Sequence, residues 1–263
     1  MSPQRVPEGP APEPAVQKLR IRYAKRGRLR FSSTRDFQRA LERALRRADV
    51  PMAFSAGFHP HPKISYANAA PTGMASEAEY VEISVTDRVE PEAVRAALDE
   101  ALPVGLDVLE VVEARPGALA DRLQASEWVL AFRDVALDRL SEAAADFLSR
   151  EVIEVSRTFK TGPRTFDVRS AVVAMTVSSG QALGEALPHA LPVGAPSCAI
   201  MRVVVRHTTP AVRPDDILTA LRAGPRLEPP TPPLVTRLAQ GPLQDASARV
   251  ADPLAADEKV GGS

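Results

Sequence analysis

Apolar residues alternate with basic ones over residues 18–23, which places Leu19, Ile21 and Tyr23 on one face of a strand. Gly27 allows a turn or bulge, after which Leu29 and Phe31 resume the alternation. Ser32, Ser33 or Thr34 can cap the helix predicted next, in which Phe37, Ala40, Leu41, Ala44, Leu45 and Ala48 recur at helical spacing before Pro51 ends it. Proline and glycine punctuate residues 51–73, with a strand expected at 63–68. Val81, Ile83 and Val85 alternate with Tyr80, Glu82 and Ser84 as a half-buried strand. Pro91 opens a second helix with Val94, Ala97, Leu98, Ala101 and Leu102 on one side, and residues 106–112 read as a closing strand. The order is strand, helix, strand, strand, helix, strand, the ferredoxin-like arrangement.

The second half repeats that order in elements, not in letters. Residues 127–135 are strand-like, and Leu137, Leu140, Ala144, Phe147 and Leu148 set a helix. Residues 152–158 and 166–178 read as two strands, and 198–206 as another. Pro214 starts a short helix with Ile217, Leu218 and Leu221, stopped by Gly224. The fold expected is α+β, with two ferredoxin-like (βαββαβ) halves, residues 17–115 and 125–228, packed side by side. A single mixed α+β domain is the alternative. Residues 1–16, rich in proline, and 240–263, a polar tail without periodicity, are expected to be disordered. The N-terminus has no apolar core of a signal peptide. Neither long charge-free stretch, 170–184 or 186–201, reaches the roughly 18 residues of a membrane span. A cytoplasmic protein with no membrane partner is expected.

The 263 residues are neutral overall, but the charge is unevenly spread. Residues 18–66 hold thirteen basic and three acidic groups, a net +10 that the rest of the chain offsets. At about 100° per residue, Arg35, Arg39, Arg43 and Arg46 fall within about 80° of one another, opposite the apolar stripe. Arg20 and Arg22, on the non-core face of the first strand, extend the patch. Such a face suits nucleic acid or an acidic protein, and a merely solvated helix face reads the same way. Tyr23, Phe31 and Tyr66 are the nearby aromatics available for base stacking.

The segment Gly57-Phe58-His59-Pro60-His61-Pro62-Lys63 forces an extended backbone. It allows a two-His share of a metal site, acid/base chemistry by one imidazole, phosphate contact with Lys63, or a rigid structural turn. In a second cluster, Lys160, Arg164 and Arg169 surround Asp167, suited either to an anion or to a structural ion pair. Cys198 is the only cysteine, so a disulfide framework, a cysteine zinc site and a self-contained iron–sulfur cluster are excluded. It reads as a buried small hydrophobe. No cofactor and no resident metal are expected, and no phosphate-loop spacing occurs.

Residues 18–33, Asp36-Phe37, Arg39 to Ala48, 54–65 and 73–80 together resemble the radical-SAM-linked domain of unknown function. Lys160, Asp167, Val168, Arg169 and Arg213-Pro214-Asp215 are similar to that family more loosely. The resemblance implies a domain that occurs alone, notably in actinobacteria, or fused behind a B12-binding-type radical SAM enzyme. His59 stands where the family pattern implies Asn, whereas His61 fits it. With one cysteine the chain is not itself the radical enzyme. Paired ferredoxin-like domains with a basic first helix are also similar, at the level of fold, to RNA-processing proteins of CRISPR systems.

Three functions follow as expectations. The first is an accessory module gripping tRNA or rRNA through Arg20, Arg22, Arg35, Arg39, Arg43, Arg46, Lys63, Lys160, Arg164 and Arg169. The second is an RNA-processing or RNA-modifying enzyme using His61 as acid/base. The third is a docking subunit for a radical SAM protein.

Overall fold

In the computed structural model, which describes residues 12–181, 198–223 and 227–258, the first alternating segment forms β1 (Gln17–Lys25). The chain divides into two units, residues 1–73, 79–120 and 254–263 in one, and 74–78 and 121–253 in the other. After β1, the first unit contains α1 (Thr34–Arg47), β2 (Ile64–Ala67), β3 (Ala75–Val85, from Glu79 on), α2 (Pro91–Ala101) and β4 (Val108–Glu113). Its strands lie in the order β4-β1-β3-β2, with β1 antiparallel to β4 and β2 antiparallel to β3. Leu19, Ile21 and Tyr23 of β1 meet Phe37, Leu41 and Leu45 of α1, Val81, Ile83 and Val85 of β3, and Val94 and Leu98 of α2 in one core. The alternation thus points each strand's apolar side at the two amphipathic helices.

Leu29 and Phe31 do not continue a strand. Gly27 takes a positive φ of 53° and residues Gly27–Phe31 coil into a 3-10 turn, closed by Ser32 N–H donating to Leu29 O at 3.0 Å. A left-handed glycine reverses the chain at little steric cost, so an alternation that crosses it loses its register.

Arg20 departs furthest from expectation. Far from lying on a solvated face, it is fully buried. Its Nε donates to Glu82 at 2.7 Å, its Nη1 reaches both Asp257 oxygens at 2.8 and 2.7 Å, and its Nη2 donates to Gly117 O. Burial works against the charge, but the Asp257 and Glu82 carboxylates outweigh it and hold the guanidinium protonated more firmly than usual. Asp257 also accepts from Arg115 N–H at 2.9 Å.

The expectation of a disordered tail from residue 240 therefore fails over 240–258, because this segment supplies the counter-charge and buries Leu254. Residues 259–263 lie outside the described residues. At the other end, 12–16 are described without regular structure and 1–11 lie outside.

The second unit runs β5 (Ala125–Phe132), α4 (Leu137–Ser149), β6 (Glu154–Phe159), β7 (Gly162–Asp167), β8 (Val172–Ser179), β9 (Ala199–Arg206), α5 (Pro214–Ala223) and β10 (Leu234–Gly241), with the short α3 (Leu119–Arg122) just before it. Its strands lie in the order β10-β5-β9-β8, antiparallel throughout, and Ala75 and Ser76 pair parallel with Thr236 and Arg237 of β10. Cys198 is buried beside Val129, Ala131 and Ile200.

Two readings change here. Residues 152–167 form a separate hairpin, β6–β7, and the sheet strand begins only at Val172, after a 3-10 turn. The closing strand β10 has no apolar alternation, since Arg237 and Gln240 are buried polar residues. Arg237 lies 5.2 Å over the Trp128 ring and Gln240 Nε2 donates to Ala78 O at 2.9 Å. At Gly241 a Cβ would sit 2.1 Å from Ala251 O, so the chain around β11 (Leu243–Gln244) and β12 (Arg249–Val250) folds back tightly on β10.

Asp257→Ala leaves Arg20 facing Glu82 alone in the interior, and a loss of about 3–5 kcal/mol is expected from urea unfolding followed by circular dichroism. Combining Arg20→Met with Asp257→Leu should recover most of it. A single-variant loss below about 1 kcal/mol, the range of exposed pairs, would show that the pair is not a buried anchor.

Candidate nucleic-acid interface

α1 is positioned at its start by Ser33, whose hydroxyl accepts from Asp36 N–H at 3.2 Å while Asp36 accepts from Ser33 N–H at 3.1 Å, a reciprocal capping box. The Ser33 hydroxyl, with its amide, also holds the Asp36 carboxyl below the usual range, and Arg39 and Arg35 add to this. With Phe37, Leu41, Ala44 and Leu45 locked in the core, the opposite face is fixed outward. Arg35, Arg39, Arg43 and Arg46 are all exposed there, and none of their side chains donates a hydrogen bond or closes an ion pair with a described residue. Along the axis the four span about 16 Å at 1.5 Å per residue.

The other predicted cations fall elsewhere. Arg20 is sealed in the core, as above. Arg22 is half-buried and sits opposite Glu110 in the β1–β4 register. Lys63 is exposed at the start of β2. Lys160 and Arg164 are exposed on the β6–β7 hairpin of the second unit. Arg157 and Arg164 stand directly opposite in that hairpin, a like-charge pair tolerated because Arg157 reaches Asp216 of α5 and lies 4.6 Å over the Phe159 ring. Arg169 is half-buried and engaged: it donates to Val172 O at 3.1 Å and to Leu148 O at 3.4 Å. Asp167 pairs with none of the three cations that flank it in sequence. Although burial pushes its carboxyl up, the amides of Ile153, Arg169 and Ser170 and the Ser170 side chain hold it low, as a turn organiser.

Both histidines of the proline-rich segment are exposed. His61 contributes its backbone, with its N–H donating to Ser55 Oγ at 3.0 Å and its carbonyl accepting from Ser55 N–H at 2.8 Å. Its imidazole meets no orienting carboxylate or carbonyl among the described residues. Among the described residues no group of three or more His, Cys, Asp and Glu is arranged to hold a metal ion.

Of the aromatics expected to stack on bases, Tyr23 is occupied, stacked on Phe37 at 4.1 Å, and Phe37 meets Tyr66 edge-on at 6.1 Å. Burial pushes the Tyr66 hydroxyl up to about 12. Phe31 is exposed, with the Arg30 guanidinium 4.5 Å over its ring. Phe54 and Phe58, which sequence reasoning passed over, are exposed as well. The signal for them is that no acidic residue occurs between Asp49 and Glu77.

Residues 18–214 match the model of a family described as an uncharacterized protein conserved in bacteria (DUF2344). The chain belongs to this family. No curated protein matches the chain. The matched span runs from the second residue of β1 to the first residue of α5 and stops short of β10 and of Asp257. No helix among the described residues is long and apolar enough to cross a membrane.

In the second unit, Ser126 and His207 pair at 2.8 Å, a geometry that activates nucleophiles elsewhere. Here Ser126 is only 2% exposed, and the pair is an internal hydrogen bond. Leu123 O, an acceptor only, lies 2.6 Å from Nδ1, so Nδ1 carries the proton and Nε2 accepts from the Ser126 hydroxyl. Burial lowers the His207 pKa, with Arg237 adding to this against the Leu123 carbonyl. A histidine lowered on folding takes its proton more readily when unfolded. Its contribution is therefore whole above about pH 6.5 and is lost as pH falls below that value. His207→Gln should flatten the stability profile between about pH 7 and 5 relative to wild type, measured as urea midpoints; parallel profiles would refute the assignment.

Proposed function

We propose that this protein is a non-catalytic, RNA-binding accessory module that grips tRNA or rRNA through the arginine face of α1. The observation that carries the reading is the four-arginine row whose side chains close no hydrogen bond or ion pair among the described residues. Elsewhere in this chain cations that matter to folding are engaged, as with Arg20–Asp257, Arg26–Asp107 and Arg157–Asp216. A row of unpaired like charges repels itself, so it adds nothing to folding and is suited to a polyanion. Lys63 and Arg22 extend the same basic unit.

The strand orders support reading each unit as a ferredoxin-like half. In each, the fourth strand lies beside the first, then come the third and the second, with β6–β7 inserted after the first helix of the second half. The resemblance to radical-SAM-linked domains fits an accessory role in which this chain would hold the RNA and a separate enzyme would supply the chemistry.

If four arginines each neutralise a phosphate of single-stranded RNA, log K should fall with log[salt] at a slope near about −3. The test is fluorescence anisotropy of a labelled oligoribonucleotide across a salt series. Arg39→Glu with Arg43→Glu is expected to weaken binding at least about tenfold at low salt and to flatten the slope by about 1.4. Folding should be untouched, since both positions are exposed. Salt-insensitive binding, or an unchanged double variant, would remove this reading. An acidic protein that co-purifies after nuclease treatment would replace it with partner docking.

A further inference from the structure

The loop after α1 is built as a rigid mount for an exposed aromatic ring. Its ends are clamped by the Phe54–Pro62 bridge, by Ser55 N–H to His61 O at 2.8 Å, and by Lys63 N–H to Ala53 O at 2.8 Å. Pro60 and Pro62 fix two backbone torsions, and Gly57, at a φ of 129°, makes the bend that a side chain would resist. At the bend stands Phe58, 60% exposed, with Phe54 43% exposed at the clamp. Phe58 touches no other ring and no cation among the described residues. A tethered, proline-stiffened loop does not present a bare phenylalanine to water for its own stability, because burying such a ring is worth about 1.5–3 kcal/mol.

The neighbourhood says what would cover it. The loop begins seven residues after Arg47, and His59, His61 and Lys63 are its ionisable residues. No acidic residue occurs from Val50 to Ser76, so a polyanion that follows the α1 arginines meets the loop without repulsion from it. We infer that this loop is a base-stacking platform: an unpaired base of a single-stranded RNA stacks on Phe58 while its phosphates run along Arg35, Arg39, Arg43 and Arg46. Bases in a duplex are already stacked on one another, so the platform selects single strands. The inference rests on the RNA-binding reading above and adds the class of RNA.

The probes are a 12-nucleotide single-stranded RNA, an abasic oligomer of equal length, and the same RNA in duplex. Phe58→Ala should bind the single strand about tenfold more weakly with an unchanged salt slope, because it removes a base contact and no charge. Wild type should bind the abasic oligomer about as weakly as Phe58→Ala binds the RNA. Phe58→Trp should show saturable fluorescence quenching, read against the single native tryptophan, Trp128, which is buried in the second unit. Unchanged thermal unfolding of both variants checks that the exposed site has been altered without harm to the fold. Equal affinity for abasic and base-bearing strands, or for duplex and single strand, overturns the stacking platform while leaving the arginine face standing. Failure of wild type to bind any of the three at low salt overturns both.

Discussion

A guanidinium with no access to water dictates much of this architecture. Arg20 sits in the middle of β1, and an ion of that size moved out of water is unfavourable by several kcal/mol unless its donors are met. Glu82 from β3 and Gly117 O meet part of the requirement. The remainder comes from Asp257, which lies 237 residues away in sequence and turns both carboxylate oxygens to Nη1. The C-terminal segment is therefore part of the first unit although residues 121–253 belong to the second. A chain cut after β10 would leave Arg20 half-satisfied in the interior, which is worse than an apolar residue there.

The same constraint explains how much of the fold was legible. Helix α1 and strands β1 and β3 are governed by local periodicity, and the pattern locates each of them because the core they face is built from neighbours in sequence. Arg20 follows the same alternation as Arg22, and alternation alone assigns both to a solvated face. Only a cover arriving from residue 257 distinguishes them. β10 was illegible for a related reason: Arg237 and Gln240 occupy buried positions, where Arg237 donates to Ser76 Oγ and Gln240 Oε1 and Gln240 donates to Ala78 O, so the strand carries polar letters where periodicity looks for apolar ones. Phe166 reads as the start of a long strand until Asp167 is seen turning the chain with its carboxylate on three backbone amides.

The candidate site was legible in its charges and not in its aromatics. Helical geometry alone places four arginines opposite the apolar stripe, and the capping box at Ser33 sets where that stripe begins. Tyr23 and Tyr66, by contrast, have the composition of stacking residues, yet Phe37 engages both inside the core. Phe58 looked like part of a structural turn, and it is; the clamp across Ser55 and His61 is what leaves its ring outside. Arginine shows the same division, since the sequence does not separate the cations that fold the chain from those left over.

Charge and ring respond differently to the cell's ionic strength, and this gives the combination a physical logic. Four single-strand phosphate contacts lose about fifty-fold in affinity between 50 and 200 mM salt. A base stacked on a phenylalanine, worth about 1–3 kcal/mol, releases no counterions and keeps its strength over that range. The arginine row attracts any polyanion from a distance but cannot tell one from another. In the proposed binding mode, a ring held on a stiff loop of the same unit would add a contact that a duplex does not satisfy, and its share of the binding energy would grow as salt screens the rest. A surface built this way is least selective at low salt, and discriminates best where the electrostatic grip alone has become weak.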